Sequence, residues 1–434
     1  MALSPLARSM LRQEARALRG RLARIKPFAL QETMLPAAAL LPRAQSAVER
    51  FLVSGRRELR GLIEGYLAWL DGPAGGAATP EEAHRRFVLL RLRFNVVLTQ
   101  FDLFADVITQ RSEAETGVWL GGLDVLAGDA LALPDVYEAP PIVCYLDRDF
   151  GAAIRRARTR LPGGGDNPVA IVRMPRERMV GSGIASSLVH EVGHQAASLL
   201  DLVPSLRTSL QQRQGGGQAE RLAWGLWERW ISEIVADLWS VARVGVVSTI
   251  GLMAVVALPR PFVFRLNLDD PHPMPWLRVK LSAAMGEALY PHPQWRHLAA
   301  LWESYYPRAG VPPQVAAVID AVEGAMPAFV ALLVDHRPLR LRGASLREAL
   351  ELGPRQPTQL TALWRAWNAA PAGLYRARPA LVLAVLGQAR ADGQLDPDDE
   401  VALIAKLLTF WTVRATVNTT ALCAEAGAPP ALAA

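Results

Sequence analysis

The stretch His190-Glu191-Val192-Gly193-His194 decides how this chain is read. It lies inside a segment that reads as one helix from about Gly183 to Leu200. Residues four apart share a helix face, so the two imidazoles can converge on one ion while Glu191 lies beside them. Two neutral histidines and a carboxylate suit zinc and leave a fourth position for water, which the metal makes acidic enough to serve as a nucleophile. Glu191 is placed to take the proton from that water. The physical reading of this spacing is metal-assisted hydrolysis of an amide.

A third ligand is expected from a second helix, and the run Trp227 to Trp239 offers it. Glu233 and Asp237 are four apart on one face. Glu233 can reach the ion, and Asp237 can accept a hydrogen bond from the second nitrogen of a ligand histidine and so hold its tautomer. The histidine helix ends near Asp201-Leu202, and the connection passes through Gly215-Gly216-Gly217.

The pair His-Glu-x-x-His and Glu-x-x-x-Asp resembles the gluzincin zinc metallopeptidases, whose third ligand is a glutamate on a later helix. The wording Glu233-Ile-Val-Ala-Asp237 is closest to the branch related to membrane-associated and periplasmic zinc peptidases. That branch also tends to carry a His-Pro with an arginine further on, and this chain has Asp270-Pro271-His272-Pro273 followed by Arg278. A metzincin would need glycine and histidine where Ala197 and Leu200 stand. The resemblance spans about Val169 to Gly286. It implies a zincin-like core, one Zn2+ per chain on His190, His194 and Glu233, Glu191 as general base, and a peptide or protein substrate. His272, Arg278 and Tyr290 are candidate donors to the oxygen that turns negative when water adds to the scissile carbonyl. Ordinary packing or surface chemistry remains open for each of the three.

Outside that core the chain reads as mainly helical with a small β-sheet. Three regions and a tail are expected: an N-terminal helical region 1–70, a zincin-like catalytic domain 81–290, a C-terminal helical domain 291–426, and a flexible tail 427–434. Leu11 to Arg24 is a helix former bearing five arginines, Ala44 to Leu70 shows a broad apolar stripe, and Asp71 to Pro80 is a glycine-rich break. Pro80-Glu81-Glu82 opens a helix running to about Val107, whereas Glu113 to Leu133, interrupted by Gly117, Gly121 and Gly122, reads as less regular. Pro141 to Leu146 and Pro168 to Met174 read as strands, with a helix Phe150 to Arg160 and a Gly163-Gly164-Gly165-Asp166 turn between them. If the zincin pattern holds, Val169 to Met174 or its neighbour offers a free edge to an extended substrate.

At 434 residues the chain can bury a large core. Its net charge of +6 is almost entirely arginine, with lysine only at Lys26, Lys280 and Lys406. The arginine helix carries no recognised base-reading module, so no nucleic-acid partner is expected. Protein partners are conceivable through the N- or C-terminal helices. Cys144 and Cys423 make no framework, and the first residues hold no apolar stretch of secretory length. A cytoplasmic protein is expected. Val244 to Pro259 is uncharged and strongly apolar but gives only ~24 Å of helix against a ~30 Å hydrocarbon layer. It reads as a buried helix, with a membrane-associated peptidase as one alternative and an inactive zincin-like scaffold as the other.

Overall fold

The computed structural model describes residues 2–148, 151–161, 164–181, 183–350 and 352–427. It is predominantly helical with one three-stranded sheet. The chain divides into two compact units: residues 1–121, 156–170 and 413–434 form one, and residues 122–155 and 171–412 form the other. Residues 291–412 share a unit with the histidine helix, while 413–434 fall with the N-terminal residues.

In the first unit, α1 (Pro5–Arg24), α2 (Pro42–Asp71) and α3 (Pro80–Thr109) pack on one another. Ser4 and Thr79 cap α1 and α3 by accepting from the amides of Ala7 and Glu82. The unit holds 21 arginines and lysines against 14 aspartates and glutamates, a surplus of seven, while the other unit's 26 and 27 nearly cancel. The positive balance of the whole chain is therefore a property of this unit.

The second unit contains β1 (Ile142–Asp147), β2 (Ala153–Arg155) and β3 (Ala170–Pro175, from Ile171 onward), in the order β1-β3-β2. β2 runs antiparallel to β3, with Ile154 opposite Val172. The helix expected over Phe150 to Arg160 is not formed. Phe150 lies outside the described residues, and Ala153-Ile154-Arg155 is drawn into the sheet, where ladder bonds and packing on β3 outweigh local helix preference. β3 is the middle strand, so the edge next to the histidine helix belongs to its neighbour β2. The buried run Ala170, Ile171, Val172 fits a central strand covered on both faces.

The segment expected to be irregular, Glu113 to Leu133, is a continuous helix, Ala114–Leu131. Gly117 and Gly122 are contact points rather than breaks. A Cβ on Gly122 would stand 2.5 Å from the Leu408 carbonyl oxygen, and one on Gly117 2.9 Å from that of Arg111.

The site is framed by α4 (His190–Leu199), α5 (Leu202–Gln211) and α6 (Gln218–Val244). Behind them lie α7 (Val246–Val256), α8 (Pro275–Leu289), α9 (Pro293–Tyr305) and α10 (Pro313–Val334). α6 is the hub, touching α4, α5, α7, α8 and α10, and nearly every residue from Trp230 to Val244 is buried. A helix buried on every side over this length lies at the centre of its unit's core. Phe329 of α10 stacks on Trp227 of α6 at 4.4 Å between centroids. Gly245, at φ +65°, ends α6 and turns the chain into α7. The apolar run at 244–259 thus yields an eleven-residue helix whose Val246, Val247 and Leu252 are buried. Among the described residues, α10 is the one helix long and apolar enough to cross a membrane.

Candidate metal centre

A π-helical turn, Ala185–Val189, leads directly into His190. Such a turn widens the helix by one residue and leaves its carbonyls less regularly paired. The Ala185 carbonyl is met by the Ser240 hydroxyl at 2.9 Å, and Ser240 in turn accepts from Ser248 at 2.8 Å. α4 then runs to Leu199 and stops where Asp201 takes the left-handed conformation at φ +54°.

Gly193 explains how α4 and α6 come close enough to share a site. A Cβ there would lie 2.8 Å from Ala236 Cα and 2.9 Å from the Ala236 carbonyl oxygen. Only a hydrogen fits between the helices. Glu233 and Asp237, one turn apart on α6 and flanking Ala236, are thereby brought against the two histidines.

The metal-ligating atoms of His190, His194 and Glu233 all lie within 4.8 Å of one another. His190 Nε2 is 3.2 Å from Glu233 Oε2, and His194 Nε2 is 3.5 Å from Glu233 Oε1. The two imidazole rings are perpendicular, 5.0 Å apart. His190 Nδ1 meets Asp237 Oδ1 at 2.8 Å, which keeps a proton on Nδ1 and makes Nε2 the nitrogen that a metal would take in exchange for its proton. Arg278 donates to Asp237 from Nε at 2.7 Å and from Nη2 at 2.9 Å. His190, Glu191, Glu233 and Asp237 are all buried.

Charge at the site follows from these contacts. Burial alone would lower the His190 pKa, but Asp237, by charge and hydrogen bond, and Glu233 push it up to about 9. Burial would raise Glu233, but hydrogen bonds from His190, His194 and His272 hold its carboxyl far below the usual range. Asp237 is likewise held low against burial, by Arg278 and His190. In the metal-free protein the cluster is thus an imidazolium between two carboxylates. Two imidazoles and one carboxylate, backed by a carboxylate on the outer nitrogen, are a donor set that fits zinc. The three residues can hold a divalent metal.

The remaining sequence candidates separate. His272 joins the cluster, its Nε2 3.1 Å from Glu233 Oε2. Arg278 does not stand as a free donor: two of its nitrogens are engaged with Asp237, and its place is behind His190. Its charge also acts on Glu233 and Glu191. Tyr290 is removed from the list, since its hydroxyl is fully buried and donates to the Ala242 carbonyl at 2.6 Å. It ties the end of α8 to α6. Sequence reasoning missed Asp270, whose Oδ1 lies 2.7 Å from His272 Nδ1. The signal was an aspartate two residues before the histidine, the spacing at which an Asp side chain bonds the backbone two residues on.

No protein-family model matches the chain, and neither a curated protein nor a solved structure matches it. The site is therefore read from its own geometry. His190-Glu191-x-x-His194, closed by Glu233 from the next long helix and steadied by Asp237 and Arg278, forms a metal-binding triad of the gluzincin active-site type, and this geometry supports a peptidase function.

Proposed function

We propose that the protein hydrolyses peptide bonds with one Zn2+ per chain on His190, His194 and Glu233. The observation that carries this reading is the convergence of those three ligands with Asp237 on the outer nitrogen of His190. Zinc, when bound, makes a water acidic near neutral pH and draws electron density from a carbonyl. Glu191 accepts the proton of that water and hands it to the departing amine. Asp237 keeps His190 in the tautomer that presents Nε2, and Arg278 keeps Asp237 ionised and aimed. His272 Nε2 faces the same space and donates to the substrate carbonyl oxygen as negative charge grows there. An extended peptide pairs with the outer edge of β2, the strand that packs against α4. Cytoplasmic action remains our reading, supported by the burial of the apolar α7 within its unit; fractionation of cells, with the protein in the soluble fraction, checks it.

The direct test compares wild type with Glu191→Gln. Elemental analysis is expected to find about one zinc per chain in both, whereas peptide cleavage falls by about 10²- to 10⁴-fold in the variant, the range of a lost general acid–base. Full turnover by Glu191→Gln would remove Glu191 from the mechanism. His190→Ala is expected to lose zinc and activity together.

A further inference from the structure

His272 differs from the other site residues in what holds it. His190, His194, Glu233 and Asp237 project from long helices, while His272 lies in the irregular segment between Phe264 and α8. Its side chain is 44% exposed, so packing does not fix the ring. Pro271 and Pro273 flank it and carry no N–H, so its own amide is the only backbone donor in the Pro-His-Pro run. That amide donates to Asp270 Oδ1 at 3.0 Å. The same oxygen meets the ring Nδ1 at 2.7 Å. One carboxylate oxygen thus binds both the backbone and the ring of His272. With Nδ1 engaged there, Nε2 is left facing Glu233 Oε2 at 3.1 Å. A second turn of the same kind precedes it, where the Asp269 amide donates to Asn267 Oδ1 at 3.1 Å. The loop is shaped by side-chain acceptors in place of helix or sheet bonds.

We propose that Asp270 is a positioning residue: it holds the His272 ring with Nε2 aimed into the metal centre, so that a loop residue is presented as rigidly as one on a helix. The proposal rests on the peptidase reading for its kinetic consequence, and on the ring geometry alone for its structural one. Orientation of a donor to the developing negative oxygen raises kcat and leaves the binding of the uncharged substrate nearly unchanged. Asp270 itself touches neither substrate nor metal.

The experiment uses the full chain, loaded with zinc, in five forms: wild type, Asp270→Ala, Asp270→Asn, His272→Ala and the Asp270→Ala/His272→Ala double variant. Asp270→Ala is expected to lower kcat about ten- to a hundred-fold, the scale of a misplaced or lost donor, with KM and zinc content close to wild type. Asp270→Asn keeps an Oδ1 acceptor at the same place and is expected to recover most of kcat. In the His272→Ala background, Asp270→Ala is expected to cost almost nothing more, because the two act as a unit. Equal losses in both backgrounds, or a rise in KM alone, would overturn the proposal. The second readout needs no turnover: nitrogen-15 NMR of the His272 ring in the metal-free protein. The ring signals are expected to move toward those of a free exposed histidine in Asp270→Ala and to stay near wild type in Asp270→Asn. Unchanged signals in Asp270→Ala overturn the clamp. A wild type that holds zinc and cleaves no peptide counts against the peptidase reading, and the ring signals then decide the clamp alone.

Discussion

At the scale of single residues, the site is a set of charges that neutralise one another before any metal arrives. His190 bonds to Asp237 on one side and Glu233 on the other, and its pKa is pushed up to about 9 from an ordinary 6.5. A histidine raised in this way adds stability that is fully present below about pH 6.5 and is lost as pH rises through about 9. A metal competes for Nε2 with the proton held there. Zinc binding to the metal-free protein at pH 7 to 8 is therefore expected to release about one proton from His190. Affinity should tighten as pH rises toward 9. Calorimetric titration in buffers of different ionisation enthalpy measures the proton count, and a count near zero at pH 7 would contradict the imidazolium. His190 and His194 were legible as candidate ligands from their four-residue spacing taken together with Glu233 and Asp237 on a second helix. Asp270 was not read, although it was in view, because its importance depends on where the His272 ring ends up.

At the scale of elements, the decisive contact is between α4 and α6. The sequence places His190 and His194 on one face and Glu233 and Asp237 on another, but the two faces meet only because Gly193 lets the backbones touch at Ala236. Gly193→Ala is expected to force the helices apart, costing about 1–3 kcal/mol as overpacking does, and to weaken zinc binding by displacing Glu233. Thermal denaturation and zinc titration of the variant check this. A variant with wild-type affinity for zinc would show that the close approach is not what sets the ligand distances. The apolar stripe found α2, the Pro80-Glu81-Glu82 start found α3, and the run Trp227 to Trp239 found part of α6. Local reading failed at Phe150 to Arg160, where the sheet recruited Ala153-Ile154-Arg155, and at Glu113 to Leu133, where two of the glycines that look like breaks are tight contacts inside a helix. In the first case a strand distant in sequence outweighed the local preference; in the second, Gly117 and Gly122 stand where a side chain would meet backbone.

At the scale of the whole chain, the metal is expected to add stability without being needed for folding. The ligand side chains already have partners among themselves, and the unit that holds them is built on α6 with its buried Trp227, Trp230 and Trp239. Bound zinc at a thousand times its dissociation constant contributes about 4 kcal/mol. Removing it with a chelator is expected to lower the melting temperature by several degrees and leave the far-ultraviolet circular dichroism unchanged. Loss of helical signal on chelation would show instead that the unit folds around the metal. The chain's excess positive charge belongs to the unit built on α1, α2 and α3 and is no part of this balance.

By itself the sequence determined the chemistry and the helical character. The spacing of His190 and His194 fixes them to one helix face, the Glu233–Asp237 spacing does the same for a ligand and its support, and apolar stripes at helical spacing call for helices with a buried face. These are local properties, set by a covalent repeat of 3.6 residues per turn. Tertiary structure alone decided that Tyr290 serves α6 rather than the site, that Arg278 backs Asp237, that Asp270 grips His272, and that β2 rather than β3 offers the edge beside α4. Each of these depends on which of several possible partners a side chain or strand meets. That choice is made by the packing of segments far apart in the chain, where one glycine or one strand register outweighs the preference of any short stretch.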